Sequence, residues 1–261
     1  MPMKVSKSVY CRIGGDGESN NGFIVCDECC IVVDTTTYPD QTKKDLEDIK
    51  KVTDKKIKFL INTHYHGDHT FGNMYFSDII AHKDCYRKLK ERTPHYMELV
   101  KEDDEKERFE GFTVRLPTIV FDHELSLFLN PQIVITHYGG HTNGSAIVYI
   151  PEERVLFSGD LLFAGYHPYV GDADIQEWVN ALHGLLQLDV KKIIPGHGDI
   201  CDAREIKTQI EYLETFYNNL KELKKKYSKE EICKNTNLLG LPEMDEEEMV
   251  VASIEGQYDK I

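Results

Sequence analysis

The stretch Thr63-His64-Tyr65-His66-Gly67-Asp68-His69-Thr70 places three imidazoles and a carboxylate within six consecutive positions. Neutral imidazole nitrogen and carboxylate oxygen are the donors that zinc, iron or manganese bind at roughly 2 Å. The competing reading is a polar surface loop that happens to hold three of the eleven histidines; the density of donors matches a known type of metal signature instead. As a strand, residues 64, 66 and 68 would share one face and His69 would point away; as a helix, His64 with Asp68 and His66 with His69 would form two pairs. Neither regular form gathers all four. Gly67 permits a tight turn, and Ile57–Ile61 before it is a short apolar-rich run that reads as a buried strand. The cluster is therefore expected on a loop at a strand's C-terminal end, where functional groups collect on a rigid scaffold.

Upstream, residues 4–13 read as a first strand, followed by a turn rich in Gly, Asp and Asn over Gly14–Gly22. Phe23–Cys26 and Ile31–Asp34 are two apolar runs around a polar turn, a hairpin signature that ends at Asp34. Pro39-Asp40 opens a charged helix to about Val52 with Leu46 and Ile49 facing inward. Downstream, Ser77–Ala81 reads as a strand ending at His82. Lys83 to about Glu110 reads as two charged helices broken at Pro94, either a solvated face or a lid over the site.

Strand-like runs resume at 118–121, 125–129 and 132–137, then comes the loop Gly139-Gly140-His141-Thr142-Asn143-Gly144-Ser145. Ala146–Ile150 and Arg154–Phe157 make a second hairpin ending at Ser158-Gly159-Asp160. An amphipathic helix over about 174–187 and a strand at 191–194 lead into Pro195-Gly196-His197-Gly198. Hairpin, terminal aspartate, helix, strand and histidine loop thus occur twice, once through Asp34 and once through Asp160. This order reads either as one motif used twice or as what α/β chains produce by default. A long amphipathic helix follows over about 203–227, and the chain from about 232 to 261 reads as an acidic tail, with Glu243–Glu248 as a solvated or weakly ordered stretch.

With 261 residues and 41% apolar content, the chain can bury a real core and reads as one domain. Its formal charge of −14 disfavours nucleic acid and anionic lipid as partners. No apolar run approaches the roughly 20 residues of a membrane helix, and Met1–Tyr10 lacks a hydrophobic signal core, so a cytoplasmic protein is expected. Seven cysteines, an odd count, suggest free thiols. Cys26, Cys29 and Cys30 read as buried thiols at a hairpin turn, or as half of a zinc knuckle without its second CxxC.

Together the loops offer His64, His66, Asp68, His69, His141, Asp160 and His197, seven nitrogen and oxygen donors, enough for two metal ions. Here the chain resembles the metallo-β-lactamase superfamily. His-x-His-x-Asp-His stands at 64–69, Gly-His-Thr at His141, Ser-Gly-Asp at Asp160 and Pro-Gly-His-Gly at His197, in order and interval from roughly residue 5 to 200. The resemblance implies a four-layer αββα sandwich of two similar halves. By matching position it implies His64, His66 and His141 on a first metal, Asp68, His69 and His197 on a second, and Asp160 bridging them. Two Zn²⁺ per chain are the default, although a donor set without thiolate also accepts iron or manganese.

Such a pair of cations lowers the pKa of a shared water toward about 7 and polarises the electrophile, and Asp68 is the candidate to orient the resulting hydroxide. The expected reaction is hydrolysis of a small ester, thioester, lactone or lactam. The alternatives are an iron-dependent thiol or persulfide oxygenase on the same fold, a phosphodiesterase, or a metal-stabilised binding protein without turnover.

The chain departs from relatives that use cysteine at the position of Asp160, and it retains His66 where flavodiiron proteins have glutamate. A glutathione-binding C-terminus of the glyoxalase II kind is not recognisable. Tyr166, His167 and Tyr169, closely following Asp160, are expected either to contact substrate or to pack the loop, with Tyr65 and Asn143 as further candidates. Asp34 is expected either to orient a ligand histidine or to form a structural turn. His82, His95, His123, His137 and His183 read as surface or capping residues.

Overall fold

The computed structural model describes residues 1–15, 18–244 and 247–261. In order, the chain forms β1 (Met3–Lys4), β2 (Val9–Arg12), β3 (Asn21–Val25), β4 (Cys30–Val33), α1 (Pro39–Val52), β5 (Ile57–Ile61), α2 (Gly67–Thr70), β6 (Ile79–His82), α3 (Lys83–Glu102) and β7 (Ile119–Phe121). Then follow β8 (Glu124–Leu127), β9 (Ile133–His137), β10 (Ala146–Ile150), β11 (Val155–Ala164), α4 (Ile175–Leu185), β12 (Lys192–Gly198), α5 (Ala203–Leu223), α6 (Lys229–Cys233) and α7 (Glu247–Gln257). Among the described residues, β1 to β7 make a seven-stranded sheet in sequence order, and β12-β11-β10-β9-β8 a five-stranded one.

Three apolar layers establish the sandwich. Ile24, Ile31, Val33, Ile61 and Ile80 of the first sheet interleave with Ile133, Ile135, Val148 and Phe157 of the second. Period-2 alternation turns Phe23, Val32, Leu60 and Ile79 to the opposite face, where Ile49 of α1 covers them. On the far face of the second sheet, Leu156 and Ile193 meet Trp178 and Leu182 of α4 and Leu213 and Phe216 of α5. The fold is therefore helix, sheet, sheet, helix, as the resemblance implies. Its two halves share one unit: β4 runs parallel to β5 across the α1 crossover, and β11 runs parallel to β12 across α4.

Several expectations are corrected. Residues 4–13 are two strands, because a turn in which the Val5 and Ser6 amides donate to the Val9 carbonyl (2.9 and 3.3 Å) separates β1 from β2. Pro94 does not break α3, which runs through it. The proline ring sits on the exposed side while Leu89, Tyr96 and Val100 bury the other, so tertiary packing outweighs the lost hydrogen bond. β11 continues past Asp160 to Ala164, with register shifts on either side of Gly159. The described residues of the C-terminal stretch do not form a solvated tail: Ile232 of α6 and Val250 and Ile254 of α7 are buried in the core outside the second sheet. The turn expected at Gly14–Gly22 and the acidic stretch Glu243–Glu248 include residues 16, 17, 245 and 246, which lie outside the described residues. Cys26, Cys29 and Cys30 are buried free thiols around the β3–β4 turn.

Candidate metal centre

The donors converge from strand ends of both sheets. β5 delivers His64 and His66, and α2 turns Asp68 and His69 back toward them; the β9–β10 loop brings His141, β11 brings Asp160 and β12 brings His197. They fall into two groups, each with its donor atoms within 4.8 Å of one another: His64, His66, His141 and Asp160, and Asp68, His69, Asp160 and His197. In the first group, His66 Nδ1 lies 3.1 Å from His64 Nε2 and 3.0 Å from His141 Nε2. Asp160 Oδ2 lies 3.4 Å from each of those Nε2 atoms. In the second, Asp68 Oδ2 is 3.2 Å from both His69 Nε2 and His197 Nε2. Asp160 reaches both groups, since its other oxygen, Oδ1, is 2.9 Å from His69 Nε2.

The donor set fits divalent cations. His69 Nε2 and Asp160 Oδ1 are buried and face each other at 2.9 Å without hydrogen-bond geometry, as two donor atoms turned toward one cation would. Outside the groups, most imidazoles are fixed through their second nitrogen, which selects the tautomer that presents the first. His64 Nδ1 lies 3.1 Å from Thr63 Oγ1, His66 Nε2 lies 3.2 Å from Asp172 Oδ2, and His69 Nδ1 lies 3.0 Å from Asp34 Oδ2. Asp34 also accepts from the Thr63 amide (2.7 Å) and hydroxyl (2.6 Å), and it adopts a left-handed backbone (φ 55°), a conformation Asp tolerates better than most residues. His141 Nδ1 is buried without a hydrogen bond.

The groups differ electrostatically. Burial pushes His64 and His141 below the ordinary imidazole range, well below for His141, which keeps both neutral. Burial opposes charge at His69 and His197 too, but Asp160 and Asp68 outweigh it, raising His69 well above its usual value and His197 to about 10. The same cations hold Asp68 and Asp160 far below the carboxylate range against their own burial.

A cavity of about 400 Å³ opens above the groups, lined by His66, Asp68, Asp160 and His197 with Arg92, Tyr96, Phe163, Tyr169, Asp172 and Met249. Tyr169, one of the candidates after Asp160, lines this cavity. Tyr65 and Asn143 do not line this cavity; they border an adjoining cleft, and the Tyr65 hydroxyl donates to Asp172. His167 is turned away, its Nδ1 2.9 Å from the Tyr212 hydroxyl, beside a separate cavity near Leu241 and Val250. Tyr166 is half-buried and is not among the residues lining the metal cavity. His82 is a cap: its Nδ1 accepts from the Asp84 amide at 3.3 Å, and its buried ring stacks on His137 at 3.7 Å.

Asp172, Arg92 and Met249 escape a reading of the sequence, because no local pattern marks them. Asp172 follows its partner His66 by 106 residues. Met249 sits beyond the last recognisable motif, and Arg92 is one of many charges on α3, 3.5 Å from Asp172.

The sequence pattern of the Metallo-beta-lactamase superfamily matches residues 14–197, and the chain belongs to that superfamily. It is 28% identical over 169 residues to "Beta-lactamase-like protein 2 homolog" of Caenorhabditis elegans, an alignment covering 65% of this chain and 51% of that protein, about half its length. It is 22% identical over 210 residues to "Metallo-beta-lactamase type 2" of Elizabethkingia meningoseptica, covering 78% of each. Among solved structures, DIM-1 metallo-beta-lactamase superposes with a TM-score of 0.67 at 21% identity, covering 82% of this chain and 97% of that one. A metallo-beta-lactamase from Pontibacter korlensis gives 0.67 at 20%, covering 82% and 98%. At these identities the structural likeness speaks for the fold.

Proposed function

We propose that this protein is a dinuclear metal-dependent hydrolase, with two Zn²⁺ as the native ions, that cleaves a small ester, thioester, lactone or lactam. The observation that carries this reading is the pair of donor groups sharing Asp160, whose Oδ2 lies 3.4 Å from His64 Nε2 and 3.6 Å from His197 Nε2 while Oδ1 lies 2.9 Å from His69 Nε2. His64, His66 and His141 would hold the first ion, Asp68, His69 and His197 the second, with Asp160 between them. Bound there, two cations supply a hydroxide at neutral pH and a fixed positive field for the charge that develops on the substrate.

The chain's own side chains account for the rest. Asp68, ionised and lining the cavity, would accept a hydrogen bond from the attacking water and orient it toward the substrate. Tyr96, Phe163, Tyr169 and Met249 wall the cavity and exclude bulk water from the reacting bond, while Arg92 offsets the charge of Asp172. The kinship to proteins named as β-lactamase-like or metallo-beta-lactamase supports including lactams among the candidate substrates. A small molecule suits the cavity, and the formal charge of −14 argues against a polyanionic polymer. The seven free cysteines support a cytoplasmic setting, and the packing of 232–261 onto the core supports one domain over the whole chain.

A panel of esters, thioesters, lactones, β-lactams and phosphodiesters, run with wild type and Asp68→Ala, tests the reading. One class should be hydrolysed with a rate that falls about 10²-fold or more in the variant, and equal rates from both proteins would assign the activity to a contaminant. An iron-dependent oxidoreductase is the second reading, favoured by a donor set of nitrogen and oxygen without thiolate. Stoichiometric iron after purification without added metal, together with oxygen consumption, would replace the hydrolase.

A further inference from the structure

Asn20 sits in the connection from β2 to β3, in the half of the molecule opposite His197. Its side chain is 3% exposed and each of its polar atoms is engaged. Oδ1 accepts from the Gly14 amide at 2.8 Å, while Nδ2 donates to the carbonyls of Pro195 (2.9 Å) and Gly198 (2.8 Å). Its own amide donates to the carbonyl of Gly196 at 2.7 Å. One residue thus holds three carbonyls that bracket His197, across 175 to 178 positions of sequence. β12 is the last strand of its sheet, paired with β11 on one side and bridged only at Ile193 to Cys201 on the other, so Asn20 engages the edge of β12 beyond that bridge.

The opposite side of the same segment leaves no slack. A Cβ at Gly196 would come within 2.0 Å of Asp160 Oδ1, and one at Gly198, where φ is +87°, within 1.8 Å of the Ala164 carbonyl oxygen. The imidazole of His197 stacks on Phe163 at 4.9 Å with the planes 1° apart. The backbone of His197 is therefore caught between β11 and Asn20. The neighbouring Ser19 does the same for a second donor, its hydroxyl donating to the Asp68 carbonyl at 2.5 Å. Asp68 and His197 belong to one donor group, and these hydrogen bonds of Ser19 and Asn20 go to none of His64, His66 and His141.

We infer that Ser19 and Asn20 are positioning residues for the second metal alone: they fix the main chain of Asp68 and His197, set the affinity of that ion, and leave the first ion to His64, His66 and His141. The inference rests on the dinuclear reading above, and it concerns metal uptake, so it is tested without knowledge of the substrate. Metal-free protein is titrated with Zn²⁺ against a chelating indicator and with Co²⁺ by visible absorbance. His66→Ala and His197→Ala serve as references for loss of the first and second ion. Asn20→Asp keeps the acceptor for Gly14 and removes both side-chain donors; Ser19→Ala is the independent variant should the first fail to fold by circular dichroism.

Both variants should weaken the second ion by about 10–100-fold and change the first by no more than about threefold, the range expected when the partner of a ligand is removed. Equal weakening of both ions would show a general structural role, and unchanged binding of both would show none; either result overturns the inference while the metal reading stands. A wild-type protein that takes up no metal would overturn the dinuclear reading and this inference with it.

Discussion

The two donor groups use similar ligands and are braced in different ways. The group of His64, His66 and His141 is held from outside by a half-buried carboxylate, Asp172, on a loop, and one of its imidazoles, His141, has no hydrogen bond on its second nitrogen. The group of Asp68, His69 and His197 is held by Asp34, 3% exposed and anchored by Thr63. Burial lowers the pKa of His64 and His141 in the first, whereas the facing carboxylates Asp160 and Asp68 outweigh burial and raise those of His69 and His197 in the second. A polar loop open to water yields when one partner is lost, whereas a buried network concentrates the cost at each member. Two groups of similar ligands at one site therefore need not bind their ions with equal strength.

Removing the residue the groups share breaks the comparison most severely. Asp160→Ala should abolish uptake of both ions and reduce hydrolysis on the order of a thousandfold, seen in metal analysis and in the rate. Chelation should lower the Tm of wild type by about 5–15 °C and leave that variant's Tm unchanged. Next in size, Asp34→Ala should weaken the second ion and also destabilise the metal-free protein by about 1–3 kcal/mol, because the Thr63 amide and hydroxyl are left buried without an acceptor. Denaturant titration of metal-free protein measures that term separately from binding.

The smallest effects should come from the support of the first ion. Asp172→Ala should weaken that ion by about tenfold with little change in the stability of metal-free protein, since water reaches the vacated position beside His66. Gln257→Ala acts one step further out. Its side-chain amide donates to the carbonyls of Val170 (2.6 Å) and Ala173 (2.9 Å) on the loop that carries Asp172, so its effect on the first ion should be smaller still. If Asp172→Ala instead disturbs the second ion more than the first, the two groups are not independently braced.

Much of this was legible in the chain as written. His64 to His69, His141, Asp160 and His197 announce themselves by residue type and by position after apolar runs, and Asp34 follows from the doubled order of elements. The substrate candidates were harder: Tyr65, Asn143, Tyr166 and His167 lie near ligands in sequence, yet neighbours along a loop point to different sides, and only Tyr169 lines the cavity. Helix α7 was missed because half of its buried face is polar. Val250 and Ile254 share that face with Ser253 and Gln257, whose side chains hydrogen-bond the backbone of the 168–173 loop, so no apolar stripe marks it.

The sequence by itself marked the seven candidate donors, because residue type and placement after apolar runs are local properties that survive without coordinates, and its motifs carried the resemblance that implied the αββα fold. Only the tertiary structure decided which residues hold those donors in place. Asn20, Asp172 and Gln257 act through hydrogen bonds to partners between 84 and 178 positions away, a separation at which no pattern along the chain links a residue to its partner.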